Sequence, residues 1–226
     1  MTQPIKVDVF SDVACPWCYV GKRKMEAGIS QFIAANPGNA VEVEYHSYLL
    51  NPEMPIDFEC GQAQYLADIK GFPLDQVKLM NHRLTGIAAE VGLAYDFEHM
   101  HMTNTVLAHQ LLHFAKSKGL QIEMKERIMS AHFVEALHVG RIEVLAQLAA
   151  EIGLDRGEVT SVLRSGKYAS AVDADIAKAK SFGIQGVPFF VIQNKYGIEG
   201  AQNADRFVHA FETVQAELTN SFEPGA

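Results

Sequence analysis

The feature that most constrains the fold is a pair of cysteines, Cys15 and Cys18, at the junction of a strand and a helix. Apolar residues alternate with polar ones over residues 5–10, which is typical of a short strand. An amphipathic helical pattern follows the cysteines, and Pro16 suits its first position because the N–H that proline lacks would be unpaired there. The pattern predicts a strand, a turn and a helix, with Cys15 just outside the helix N-terminus.

The predicted position of Cys15 favours thiol–disulfide exchange. A helix N-terminus presents unpaired amides and the positive end of the helix dipole, so we expect Cys15 to ionise easily and to be accessible. Cys18, one turn later, is expected to resolve the mixed disulfide. Trp17 has no titratable group, so we expect a moderate reduction potential, between about −270 and −120 mV. Asp12 is expected either to accept the Cys18 proton or to accept hydrogen bonds from turn amides.

Other interpretations of the cysteines and histidines remain open. A structural zinc site needs four ligands, and the third cysteine, Cys60, has no CxxC neighbour. Cys15 and Cys18 as an inert buried pair is a further alternative. The i, i+4 pair His109 and His113 can bind a metal, but no acidic third ligand has matching spacing. We therefore expect no metal site. We expect Cys60 to be a small buried hydrophobic residue or an inert thiol, and the alternative is a third redox thiol that exchanges with Cys15 or links two chains.

Composition narrows the class of partner. The chain has 226 residues and a formal net charge of −8, which argues against nucleic acid as a partner. The only dense basic run, 22–24, is expected to be a solvated helix face, with a raised potential near Cys15 as the alternative. We find no secretion signal, no membrane-spanning stretch and too few cysteines for a disulfide scaffold. These features predict a cytoplasmic protein that acts without membrane or nucleic acid.

The order of the predicted elements indicates an α/β fold. The first fifty residues read as a β-α-β unit, with the cysteines at the carboxyl end of its first strand, where open α/β sheets bind ligands. Strand character is nearly absent until residues 187–192, and a helix with one apolar face closes the chain. We predict a discontinuous domain of residues 1–60 and 184–226, interrupted by an inserted all-α domain of residues 61–183.

Three segments together carry a resemblance to a known family. They are the run SDVACPWCYVG at 11–21, Asn104-Thr105 with Ala108-His109, and GIQGVPFF at 183–190. With these motifs the chain resembles the DsbA-like branch of the thioredoxin superfamily, and within it the FrnE-like cytoplasmic oxidoreductases. The resemblance implies a thioredoxin fold with an inserted helical domain.

The resemblance also implies roles for individual residues. It implies that Pro188 is cis beside the cysteines and that the backbone of Val187 pairs with an extended polypeptide substrate. Pro16, Trp17 and His109 are then expected to contact the substrate or to shape its cleft. The implied activity is that of a protein disulfide oxidoreductase or isomerase without a metal or organic cofactor, and glutathione is a candidate reductant. Monomer and homodimer both remain open.

Two other functions share this architecture. Kappa-class glutathione transferases and 2-hydroxychromene-2-carboxylate isomerases resemble the chain outside the active turn. They generally carry serine in place of Cys15 and lack the second cysteine, so the presence of Cys15 and Cys18 counts against them. A binding module that holds unfolded segments in its helical part is the third interpretation.

Overall fold

The computed structural model describes residues 3–58 and 60–220. Its strands are β1 (Ile5–Ser11), β2 (Val41–Ser47), β3 (Phe189–Ile192) and β4 (Tyr196–Glu199). Its helices are α1 (Pro16–Ala35), α2 (Gln62–Lys70), α3 (Leu74–Ala89), α4 (Val106–Ser117), α5 (Gln121–Phe133), α6 (Ile142–Glu151), α7 (Arg156–Ser165), α8 (Ala169–Ser181) and α9 (Ala204–Asn220). The mixed α/β class predicted from the sequence is confirmed.

The four strands form one sheet in the order β2-β1-β3-β4. The strand β1 pairs in parallel with β2 and antiparallel with β3, and β3 pairs antiparallel with β4. The alternation in β1 divides its side chains between the two faces of the sheet. Val7 and Val9 share a buried cluster with residues of α1 and α9, whereas Phe10 packs with residues around α8.

The helix α1 lies close against α9 because Gly28 has no side chain. A Cβ atom at this position would lie 2.7 Å from Cβ of Phe207, closer than real Cβ atoms approach. The helix that begins at the cysteine turn is therefore packed closely against α9 in its second half.

All helices from α2 to α8 lie in sequence between β2 and β3, as the weak strand signal there predicts. Residues of α4, α5, α6 and α7 share one buried cluster. A second cluster joins Cys15 and Cys18 to aromatic and methionine side chains of the helical segment. The division into two domains at the predicted boundaries stays a prediction, and residues 1, 2, 59 and 221–226 lie outside the described part of the chain.

The helix α5 is tied to α1 through the basic run at 22–24. The Lys22 ammonium lies 2.5 Å from a carboxylate oxygen of Glu26 and 2.6 Å from one of Glu126, and Arg23 also pairs with Glu126. The side chain of Lys22 is only 3% exposed. The prediction of a solvated helix face is therefore wrong at Lys22, because Glu126 of α5 covers it.

Candidate active site

The turn between β1 and α1 places Cys15 at the helix N-terminus. Cys15 is the N-cap residue in an extended conformation, and Pro16 begins the helix. The amide of Cys18 donates to the carbonyl of Cys15 at 3.0 Å, which closes the first turn. The predicted position of Cys15 is confirmed.

The loop before β3 lies directly beside Cys15. The Cys15 thiol donates a hydrogen bond to the Val187 carbonyl oxygen, with 3.5 Å between the two atoms. The Val187–Pro188 peptide bond is cis, as the resemblance implies. Gly21 permits this approach, because a Cβ there would lie 2.9 Å from Cγ of Pro188 and 3.3 Å from Cζ of Phe190. Residues far apart in sequence thus form one site at the tip of α1.

Both cysteines are free thiols, and both are buried. Cys15 is 4% exposed and Cys18 is 3% exposed. Tyr95 covers the turn and donates from its hydroxyl to the Pro16 carbonyl at 2.7 Å. The expectation of an accessible Cys15 is therefore wrong for this structure, because Val187 and aromatic side chains of the helical segment close over the sulfur.

The electrostatic surroundings of the two thiols differ. The hydrogen bond of Cys15 with Cys18, followed by burial, raises the pKa of Cys15. Burial also opposes ionisation of Cys18, but the Cys15 thiol, the Lys125 charge and Ser11 together lower its pKa. The predicted ease of ionisation at Cys15 is wrong for this arrangement, because the neighbouring Cys18 sulfur and burial both favour the protonated Cys15 thiol.

Asp12 is a buried carboxylate with four hydrogen-bond donors. It accepts from the amides of Ala14 at 3.2 Å and Leu50 at 2.8 Å, from the Thr105 hydroxyl at 2.9 Å and from His109 Nε2 at 3.2 Å. Burial would raise the pKa of Asp12, but these contacts lower it. The predicted role as an acceptor for turn amides is confirmed, whereas transfer of the Cys18 proton to Asp12 stays a prediction.

The two histidines of α4 at i, i+4 spacing have different partners. His109 is fully buried against Asp12, whereas His113 Nε2 lies 3.0 Å from a carboxylate oxygen of Asp175. Within residues 3–58 and 60–220, no group of three potential metal ligands is close enough to hold an ion. Cys60 is exposed, so the expectation of a buried thiol is wrong at that position.

A cavity of about 590 Å³ opens beside the cysteine turn. Pro16 and Trp17 line it from the turn, and Trp17 is 42% exposed. Other lining residues are mostly apolar and come from the β2–α2 connection, from α2 and α3 and from the segment before α4: Leu50, Met54, Tyr65, Leu66, Met80, Leu84, Ile87, Met100 and Met102. His109 is not among them, although Asp12 and Thr105 are.

Lys125 is a site residue that the sequence reasoning missed. Its side chain is buried in α5, and the ammonium group has no hydrogen-bond partner in the described part of the chain. One signal was available: Met124 and Ile128 mark the buried stripe of α5, and helical spacing places Lys125 within it.

Comparisons with known proteins agree with this geometry. Residues 6–212 match the DSBA-like thioredoxin domain family. YwbO of Bacillus subtilis, an uncharacterized protein, is 28% identical over 218 residues, which cover 93% of this chain and 98% of YwbO. A probable DsbA oxidoreductase from Streptomyces coelicolor has 33% identity and a TM-score of 0.87, with 98% of this chain and 93% of that chain covered.

A more distant structure shares the fold. A 2-hydroxychromene-2-carboxylate isomerase has 14% identity and a TM-score of 0.64, with 96% of this chain and 97% of that chain covered. At this identity the likeness concerns the fold alone. The family match and the Streptomyces relative both span nearly the whole sequence. The chain belongs to the DSBA-like thioredoxin domain family.

Proposed function

We propose that the protein is a thiol–disulfide oxidoreductase or isomerase that acts on disulfides of polypeptides through Cys15 and Cys18. The observation that carries this proposal is the 3.5 Å contact between the Cys15 sulfur and the Val187 carbonyl oxygen, at the N-terminus of α1 and next to Pro188. An extended polypeptide can pair with exposed backbone, and the Val187 carbonyl would align such a strand beside the sulfur.

Binding of the polypeptide would also activate Cys15. A client amide that donates to the Val187 carbonyl competes with the Cys15 thiol for that acceptor. The thiol then loses a partner that favours its protonated form, while the amides at the start of α1 remain to stabilise a thiolate. In this proposal the buried, protonated Cys15 is the resting form, and the client converts it into the nucleophile.

The exchange proceeds in two displacements. The Cys15 thiolate attacks one client sulfur, which forms a mixed disulfide and releases the other client sulfur as a thiolate. The Cys18 thiolate then attacks the Cys15 sulfur, which forms the Cys15–Cys18 disulfide and releases the second client sulfur. The client gains two electrons and two protons, and the protein loses them. Two glutathione thiols can then reduce the Cys15–Cys18 disulfide by supplying two electrons and two protons. All steps are reversible, so the same site can oxidise, reduce or isomerise.

The cavity beside Trp17 is a suitable site for client side chains. Methionines at 54, 80, 100 and 102 line it, and flexible thioether side chains adapt to apolar groups of different shape. We assign Pro16, Trp17 and the Val187–Pro188 backbone to client binding. His109 would act through Asp12, which it contacts, rather than by touching the client.

The type of reaction, the FrnE-like assignment and the location in the cell are also part of this proposal. Both cysteines are present, which favours disulfide exchange over the transferase and isomerase alternative. The FrnE-like assignment and a cytoplasmic location rest on the motifs and composition. Among the described residues, no helix is both long enough and apolar enough to cross a membrane.

Reduction of insulin disulfides tests the proposal. With glutathione as reductant, the wild-type protein and Cys60→Ser should accelerate insulin reduction, whereas Cys15→Ser should lose the acceleration. Glutathione conjugation to an electrophilic aromatic substrate is measured in parallel. Conjugation without insulin reduction would overturn the proposal in favour of the transferase alternative, and suppression of insulin aggregation that survives loss of both cysteines would favour a binding module.

A further inference from the structure

Lys125 carries an amino group that is buried in α5. The residue is 1% exposed, and its nitrogen has no hydrogen-bond partner in the described ranges. The nitrogen lies 5.5 Å from the centroid of the Tyr45 ring, within the range of a cation–π contact. An ammonium in such a place is costly unless a negative charge faces it.

Two neighbours in α5 fix the position of Lys125. The side-chain amide of Gln121, one turn earlier, accepts from the Tyr45 amide at 3.0 Å and donates to the Tyr45 carbonyl at 2.8 Å. Glu126, the next residue, accepts hydrogen bonds from Tyr19 and Lys22 of α1, each at 2.6 Å. The helix is thus fastened both to β2 and to α1, and Lys125 lies between the two attachments.

The charged and titratable groups around Lys125 come from several elements. Burial lowers the pKa of Lys125 and Lys22 lowers it further, whereas Cys18, Asp12 and Cys15, in that order, favour its positive charge. Lys125 in turn opposes protonation of His109. Asp12 already accepts from four donors. Met129, one turn after Lys125 in α5, shares a buried cluster with Cys15 and Cys18. These two thiols are the groups near Lys125 whose charge changes in the proposed reaction, and Cys18 favours the Lys125 charge more strongly than Cys15 does.

We propose that Lys125 is a positioning residue that supplies the counter-charge for the Cys18 thiolate during resolution of the mixed disulfide. This inference rests on the proposed function and deepens it. The Cys18 thiolate attacks the Cys15 sulfur, the Cys15–client bond breaks, and its electron pair leaves with the client sulfur, which takes a proton from solvent. The Lys125 charge favours the state before this attack, in which Cys18 carries the negative charge.

Titration of Cys18 alone gives the most direct test. In the Cys15→Ser, Cys60→Ser background, the rate of alkylation by iodoacetamide is measured against pH. Replacement Lys125→Met should raise the Cys18 midpoint by about one pH unit or more, equivalent to about tenfold less thiolate below the midpoint. Lys125→Arg keeps the positive charge and should therefore leave the Cys18 midpoint close to its wild-type value. Lys116→Met removes a surface lysine of α4 and should leave the midpoint unchanged.

A purely structural role gives a different result. Removal of a buried charge would then change the free energy of unfolding but leave the Cys18 midpoint in place, and this outcome would overturn the inference. If Lys125→Met does not fold by circular dichroism, Lys125→Gln replaces it in the same titration. In the Cys60→Ser background with both active-site cysteines, Lys125→Met should also make the reduction potential more negative, because the reduced pair loses stabilisation.

The titration and the insulin assay fail independently. Alkylation needs no client, so Cys18 titrates in the same way whether or not the protein reduces insulin. An unchanged midpoint with active insulin reduction would refute the role of Lys125 alone. A shifted midpoint without insulin reduction would refute the proposed function and leave the electrostatic coupling in place.

Discussion

The Cys15 thiol donates a hydrogen bond to the Val187 carbonyl oxygen, although the two residues are 172 positions apart in the sequence. The contact joins the helix N-terminus to the loop before β3. It also keeps the sulfur beside the backbone group that we expect a client strand to use. The structure of the resting site and the proposed mode of client binding therefore depend on the same carbonyl.

Replacement Gly21→Ala should disturb this arrangement. The new methyl group would lie 2.9 Å from Cγ of Pro188, so α1 and the loop must move apart. We expect a loss of about 1–3 kcal/mol in the free energy of unfolding and slower insulin reduction. Denaturant unfolding and the reduction rate provide the measurements.

Gly86→Ala is the matched control for this change. Gly86 lies within α3, and a Cβ there would meet nothing within 4 Å. Alanine should leave the reduction rate unchanged and stabilise the helix by up to about 1 kcal/mol. Equal effects of the two replacements would show that the close approach at Gly21 does not matter.

His132 should make the stability of the protein depend on pH. Burial lowers the pKa of His132 to about 4, and neither ring nitrogen has a hydrogen-bond partner within the described residues. Between this value and the ordinary pKa of about 6.5, the unfolded state binds the proton more tightly than the folded state. The neutral His132 makes its full contribution to the free energy of unfolding above pH 6.5, and about 3 kcal/mol of this contribution is lost as the pH falls to about 4.

Urea unfolding at several pH values measures this effect. In His132→Leu, the stability should fall less over the same pH range than in the wild-type protein. His82→Leu, at an exposed position of α3, should retain the wild-type dependence. If the free energy of unfolding of His132→Leu depends on pH as strongly as that of the wild-type protein, the imidazole of His132 is not buried in its neutral form.

Trp17→Ala should weaken the use of polypeptide clients. Trp17 lines the cavity and is 42% exposed, so its indole is available to an apolar client side chain. We expect about a tenfold lower kcat/KM for insulin, equivalent to about 1.4 kcal/mol of lost contact, and a smaller effect with a glutathione mixed disulfide. Ile122→Ala, at a residue that is 44% exposed on α5 and outside the cavity lining, should change neither value. Equal losses for both substrates would argue against client binding by Trp17.

Cys60→Ser should preserve the reaction. Cys60 is an exposed free thiol, and the proposed chemistry uses only the pair at the start of α1. Insulin reduction should therefore proceed at the wild-type rate. A large loss of activity would restore the interpretation of Cys60 as a third redox thiol, whereas loss of a disulfide-linked dimer on a non-reducing gel would identify it as a link between chains.

Local patterns in the sequence were sufficient to place the cysteine turn and the strand and helix on either side of it. The alternation in β1 and the position of Pro16 predict the strand, the helix start and Cys15 at the N-cap, because each depends on neighbouring residues. The GIQGVPFF motif identified the partner loop through the family resemblance, and the structure confirms that Pro188 is cis. The contact of Val187 with Cys15 is seen only in the structure.

The electrostatic properties of the site could not be predicted in this way. Burial of Lys22 depends on Glu126, and Lys125, one of the groups that lower the pKa of Cys18, lies 107 positions away from it in the sequence. Both effects arise only when α5 packs against α1 and β2. The closure over Cys15 has the same origin, because the covering residue Tyr95 belongs to the helical segment between β2 and β3.

Trapping of the mixed disulfide tests the central claim most directly. The Cys18→Ser and Cys15→Ser proteins, both with Cys60→Ser, are incubated at neutral pH with insulin whose disulfides are intact. The covalent adducts are then measured by mass spectrometry. We predict that the protein that retains Cys15 accumulates one covalent insulin chain on that residue, and that the protein that retains only Cys18 accumulates little. An adduct that forms preferentially on Cys18, or on neither cysteine, would contradict the assignment of Cys15 as the attacking sulfur.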